Sequence, residues 1–380
     1  MKKGLSRAVP IAVLVALFFT GPGPCKAAER REKNTPLSGT ETSACNYVKK
    51  NDFKNALAQY NKVIAVEPNN ARAYAMRGVC EVKLRDYVHA RKDCDRAFAL
   101  DPYRRDCVSL AFMLFFFYQE SFQDEDAMVM LEYFHKSEPT NPEYYKWRAE
   151  TLQALDQLSE ALQSINKFVV LKPKDSQGFY RKGQIEDQMK DNKAAIADYG
   201  KSIALCPDFY VALLKRAYCY ERLGDWSKAA ADYTTIIKLT EGKKAIDGSI
   251  HRVSSFLKRG DAYSKMGDVQ KALRDYETVM TEAANDKGDV RDGAVRHAMQ
   301  AGQHRATLLV SLKRYDEAVG AYGDLIKHAA DWGESSGRYF QDRASVYRMM
   351  GKKDLASADE ALAIKANASY PGQQNSRKPH

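Results

Sequence analysis

The chain is short of what catalytic and metal sites are usually built from. Its 380 residues include seven cysteines and seven histidines, and no two cysteines stand in CxxC spacing. No GxSxG elbow and no glycine-rich phosphate loop occurs along it. Only His297 and His304, seven apart, could share a helix face, and without a cysteine or carboxylate partner motif a solvated face outweighs a metal site. Long apolar runs are scarce too. The one present, "VPIAVLVALFF" at 9–19, is too short for a comfortable membrane span.

That run follows Lys2, Lys3 and Arg7 and precedes "GPGPCKA", which places Cys25 and Ala27 as small residues at −3 and −1 of a cleavage site. Residues 1–27 therefore read as a secretory signal peptide. Pro24 stands where a lipid-modified Cys25 would need a small residue. The expected destination is outside the cytoplasm, as a secreted or periplasmic protein, and the paired lysines suit a bacterial signal. No transmembrane span is expected in the mature chain.

Loss of the four basic residues of 1–27 lowers the formal charge from +10 to +6. A mild surplus spread along an exported chain argues against nucleic acid as a partner. Six cysteines remain, too few for a disulfide scaffold of this length. Cys45, Cys80, Cys94 and Cys107 cluster, so any bridge is expected among them, with connectivity open; the competing reading is that several are small buried apolar residues.

What the chain has is repetition. "GDWSKAAADYTTIIKL" at 224–239 echoes "NDFKNALAQYNKVIAV" at 51–66, "KDNKAAIADYGKSIAL" at 190–205 and "GDVQKALRDYETVMTE" at 267–282. An alanine marks time: Ala56, Ala90, Ala127, Ala161, Ala195, Ala229, Ala272, Ala318 and Ala356, in steps of 34, 37, 34, 34, 34, 43, 46 and 38. Twelve residues before most of them stands Ala or Gly, such as Gly78, Ala217 and Gly260. Four residues after comes a bulky side chain, such as Tyr60, Tyr199, Tyr233 and Tyr276, and twelve after, in the early units, a proline, as at Pro68 and Pro207. Small residues on both helices let an antiparallel pair approach closely. The bulky one wedges between units, and the proline ends the second helix.

This pattern resembles the tetratricopeptide repeat family over about residues 37–370. The resemblance implies an all-α, right-handed superhelical solenoid of about nine helix–turn–helix units. Units 1–6 fall at 37–243, units 7–9 with insertions at 244–370, and a disordered tail is expected at 371–380. The insertions 244–252 and 287–298 are expected to extend helices or form loops. No stretch outside the repeats leaves room for a catalytic domain, so no enzyme activity and no cofactor are expected.

What the resemblance implies for function is a scaffold or adaptor of the cell envelope, holding a protein segment or helix in a groove lined by the first helices. Its groove positions 2, 5, 9, 12 and 13 carry over to Glu143, Lys146, Glu150, Gln153 and Ala154 in unit 4. In unit 5 they are Gln177, Tyr180, Gln184, Asp187 and Gln188; in unit 6, Val211, Leu214, Tyr218, Glu221 and Arg222. Tyr180 and Tyr218 are the favoured anchors. Glu150, Gln184 and Tyr218 stand where the chaperone-clamping subgroup has asparagine, which disfavours that partner class.

Unit 3 departs from the pattern. "VSLAFMLFFFYQESF" at 108–122 puts Phe115 at the small-residue position, and Phe112 and Phe116 at groove positions. The rings are either an apolar binding spot or a repacked core, and core is the commoner use of such stripes. Other functions compatible with the sequence are a small-molecule or lipid site at these rings, or an accessory subunit of an envelope enzyme.

Overall fold

The computed structural model describes residues 38–241, 246–285, 291–329 and 335–368. Residues 1–27, expected as a signal peptide, and the tail expected at 371–380 lie outside the described residues. Among the described residues there are eighteen α-helices and no strand, in nine antiparallel pairs. The pairs are α1 (Gly39–Lys49) with α2 (Phe53–Val66), α3 (Ala71–Lys83) with α4 (Tyr87–Leu100), α5 (Arg105–Glu120) with α6 (Asp124–Ser137), and α7 (Pro142–Ala154) with α8 (Leu158–Leu171). Then come α9 (Ser176–Gln188) with α10 (Asn192–Leu205), α11 (Tyr210–Arg222) with α12 (Trp226–Thr240), and α13 (Ile246–Lys265) with α14 (Val269–Asn285). The last are α15 (Arg291–Ser311) with α16 (Tyr315–Ala329), and α17 (Gly337–Met349) with α18 (Lys353–Ala368). The chain divides into two compact bodies, one ending at Met189 and the other starting at Lys190.

Every pair turns in the same way. The residue five before the repeat alanine sits in the left-handed region: Asn51, Arg85, Phe122, Asp156, Lys190, Gly224, Gly267, Lys313 and Gly351, with φ between 57° and 79°. In eight of the nine pairs the next residue donates its N–H back across the turn, as Asp225 N–H does to Tyr220 O at 2.9 Å, closing the first helix. In several units that residue is aspartate and also caps the second helix: Asp52, Asp86, Asp191 and Asp225 each accept the N–H three residues on.

The repeat alanines are the tightest points of the packing. Eight of the nine are fully buried and Ala356 is nearly so. The tyrosines four residues later are buried beside them, Tyr60, Tyr199 and Tyr233 completely. At Gly260 an added Cβ would come within 2.8 Å of the Tyr276 ring, so the small residue is required by the approach of α13 to α14.

The irregular steps are taken up mainly by first helices. α5 has 16 residues against 13 in α3, α7, α9 and α11. The insertions before units 7 and 8 lead into α13 and α15, of 20 and 21 residues. The three extra residues of α5 rotate its face by most of a turn. Phe112 and Phe115 consequently enter the core, 6 % and 1 % exposed, against Phe134 and Trp147. Phe112 does not line an open groove.

All six cysteines described are free thiols. Cys80, Cys94, Cys107 and Cys219 are buried, and burial pushes the Cys80 and Cys107 thiols up to about 12. They pack as small apolar residues.

Candidate functional site

The residues expected to line a groove fall in both bodies. In the first, Phe116 of α5 is half-buried, its ring edge-on to Phe112 at 4.6 Å and to Trp147 at 6.2 Å, so the aromatic rings of this unit pack on one another. Lys146 on α7 pairs with Glu143, and its ammonium lies over the rings of Trp147 and Phe168 at 5.9 and 5.6 Å. Tyr180 of α9 is only 8 % exposed, and Gln184 Nε2 donates to its hydroxyl at 3.0 Å. Asp187, a turn further on, is half-buried. Tyr180 is thus more wall than anchor, because its hydroxyl is already spoken for by its own helix.

In the second body Leu214 and Tyr218 are half-buried on α11, and Arg222 at its end is exposed. Arg222 Nε donates to Asn192 Oδ1 at 2.8 Å. The Tyr218 ring meets Tyr233 edge-on at 6.5 Å and carries the Lys258 ammonium 5.8 Å above its face. These contacts lead into a cavity of about 470 Å³ between α11, α13 and α15. Glu221 of α11, Lys258 and Asp261 of α13, and His304 of α15 line it, with Trp226 and Tyr276 from the second helices.

The charges in this cavity are positioned from behind. Tyr233 O–H donates to Glu221 Oε1 at 2.9 Å, and Tyr276 O–H donates to Asp261 Oδ1 at 2.9 Å. Burial, then the neighbouring carboxylate, pushes both phenols up, so both remain donors. His304 Nδ1 lies 2.7 Å from Asp261 Oδ1 and hydrogen-bonds to it. Lys258 Nζ stands 3.9 Å from Glu221 Oε2, an ion pair too long for a hydrogen bond. Burial pushes the Glu221 carboxyl above its usual range, Lys258 opposing it.

No group of three potential ligands placed to hold a metal occurs among the described residues. His304 is engaged with Asp261, while His297 is half-buried and burial pushes its pKa down. Among the described residues no helix is long and apolar enough to cross a membrane.

Family models for the tetratricopeptide repeat match residues 42–104, 176–209, 211–239 and 254–286, each over helix pairs already described. The chain is a tetratricopeptide repeat (TPR) protein. Stress-induced-phosphoprotein 1 of Caenorhabditis elegans is 22 % identical over 194 residues, covering 50 % of this chain and 58 % of that protein. The C-terminal part of a TPR protein from Cytophaga hutchinsonii is similar in fold, with a TM-score of 0.52 at 21 % identity over 66 % of this chain and 98 % of that one. YrrB, a TPR protein described as having an unusual peptide-binding site, is 22 % identical over 50 % of this chain and 94 % of its own, with a TM-score of 0.39.

TPR proteins are scaffolds for protein–protein interaction, and this one has that architecture. The TPR groove arithmetic, continued past unit 6, reaches Asp261, Ser264 and Lys265 at positions 9, 12 and 13 of the unit starting at 253. It reaches Thr307 and Ser311 at positions 9 and 13 of the unit starting at 299. All five line the cavity. Applied to units 4–6, the same count reaches one cavity residue, Glu221. Lys258 and His304, both at position 6, lie outside the groove rule and become visible only through their partners.

Proposed function

We propose that the protein is an exported scaffold of the cell envelope that recognises an extended segment of a protein partner on the first-helix face of α11, α13 and α15. The observation that supports this reading is the cavity itself. Three successive units supply groove-position side chains to one space, of a volume suited to one or two anchoring side chains of a ligand. Its groups are held by second-helix tyrosines, so they are organised before a partner arrives.

A photocrosslinking amino acid at Thr307, inside the cavity, tests the site in intact cells. The expected result is a discrete adduct that is absent when the same probe replaces the exposed Leu362 of α18. Equal labelling from both positions, or none from Thr307, overturns it. Export is tested by N-terminal sequencing of the mature protein. A chain beginning at Ala28 is expected, and one retaining Met1 overturns export.

A further inference from the structure

We propose that the cavity takes a basic side chain, an arginine or lysine, of the bound segment. This rests on the reading of the cavity as the recognition site. Glu221 and Asp261 each have one oxygen held from behind by a tyrosine hydroxyl, and His304 shares the same oxygen of Asp261. The second oxygen of each is less well satisfied. Glu221 Oε2 has Lys258 only at 3.9 Å, and the hydrogen bonds of Asp261 all fall on Oδ1. The tyrosines are neutral donors, so they orient the carboxylates without cancelling their charge.

Two half-buried carboxylates in one cavity, each with an oxygen that accepts no hydrogen bond, match a planar guanidinium or an ammonium. The walls suit the same guest. Trp226, Tyr276 and Leu308 provide aromatic and apolar surface for the stem or face of the side chain, and Ser264, Thr307 and Ser311 offer neutral hydrogen-bonding groups. The two cavity lysines do not fill the role. Lys265 is exposed, whereas Lys258, its ammonium over the Tyr218 ring, comes no nearer Glu221 Oε2 than 3.9 Å and competes there with the guest.

The test uses the full mature chain and four pools of terminally blocked peptides. They have randomised neutral flanks and a central Arg, Lys, Glu or Leu. The Arg and Lys pools should bind tightest. Glu221→Gln, which keeps the acceptor for Tyr233, and Asp261→Asn should each weaken the Arg pool about tenfold, and Lys258→Met should tighten it severalfold. Melting curves of each variant separate loss of contact from loss of fold; if Asp261→Asn unfolds, Glu221→Gln and Lys258→Met still report the sign. Preference for the Glu pool, with Lys258→Met weakening it, overturns the proposal and indicates an acidic guest. Preference for the Leu pool overturns the basic anchor while leaving peptide recognition standing. Binding of no pool at this cavity overturns both.

Discussion

Arg216 and Asp232 meet through two parallel N–H···O bonds of 2.9 and 2.7 Å, joining α11 to α12 across the face of their pair. The same bidentate pair recurs at Arg77–Asp93, Arg259–Asp275 and Arg343–Asp359, always sixteen residues apart. Each arginine also lies against aromatic rings of its own helix, as Arg259 does against Phe256 and Tyr263 at 5.2 and 5.8 Å. The aspartates are almost fully buried, so each guanidinium balances a charge that water cannot reach.

Arg259→Met should therefore cost about 2–4 kcal/mol, because it strands the buried Asp275 carboxylate. Arg259→Met with Asp275→Leu should recover more than half of that loss. Urea midpoints of the two variants check this, and a double variant as unstable as the single one refutes it.

The left-handed turn residues give the opposite sign. Arg85→Gly and Asp156→Gly relieve positive φ values of 64° and 62° and should each raise stability by about 0.5 kcal/mol after the added freedom of the unfolded chain. Gly224→Ala should lower it by about 1 kcal/mol, although its Cβ would meet nothing within 4 Å. Thermal melts decide between backbone strain and packing, because only strain predicts a loss at an open position.

Two helical glycines should respond oppositely to one methyl group. Gly260→Ala pushes a Cβ to 2.8 Å from Tyr276 and 3.3 Å from Asp275, and should destabilise by about 1–3 kcal/mol. Gly320→Ala, on the exposed side of α16 with nothing within 4 Å, should stabilise by about 0.5–1 kcal/mol. Equal shifts at the two sites would contradict the close-approach role of Gly260.

Glu81 carries a pH dependence. The residue is 7 % exposed, its buried Oε2 has no hydrogen bond within the protein, and burial followed by the nearby Asp93 pushes its pKa up from 4.5. The folded state therefore holds this proton more tightly than the unfolded chain. Stability from this group is present in full below the ordinary carboxylate range and declines as pH rises toward the raised folded value. Glu81→Gln should raise the melting temperature at pH 8 by several degrees and change it little at pH 4. An equal effect at both pH values would show that ionisation is not the cause.

Much of the molecule was legible because repeat contacts are local. The alanine at each second-helix start and the tyrosine four residues on touch neighbours at nearly constant sequence distance, so their period exposes the helix pairs directly. The arginine–aspartate pairs were equally readable, at thirteen before and three after the alanine, yet periodicity of apolar residues alone passes over them. For Phe112 the sequence leaves binding spot and core both open, because three residues inserted in α5 allow two registers, and packing against Trp147 of the next unit puts the ring in the core.

The sequence by itself determined that the chain folds as nine helix pairs and where the first and second helices meet, since these follow from side-chain size at fixed spacing. Only the tertiary structure decided which charged groups share a space. His304 and Asp261 are 43 residues apart across an insertion, and their meeting depends on how α15 settles against α13. No repeat period encodes that distance, because it is set by packing between units rather than within one.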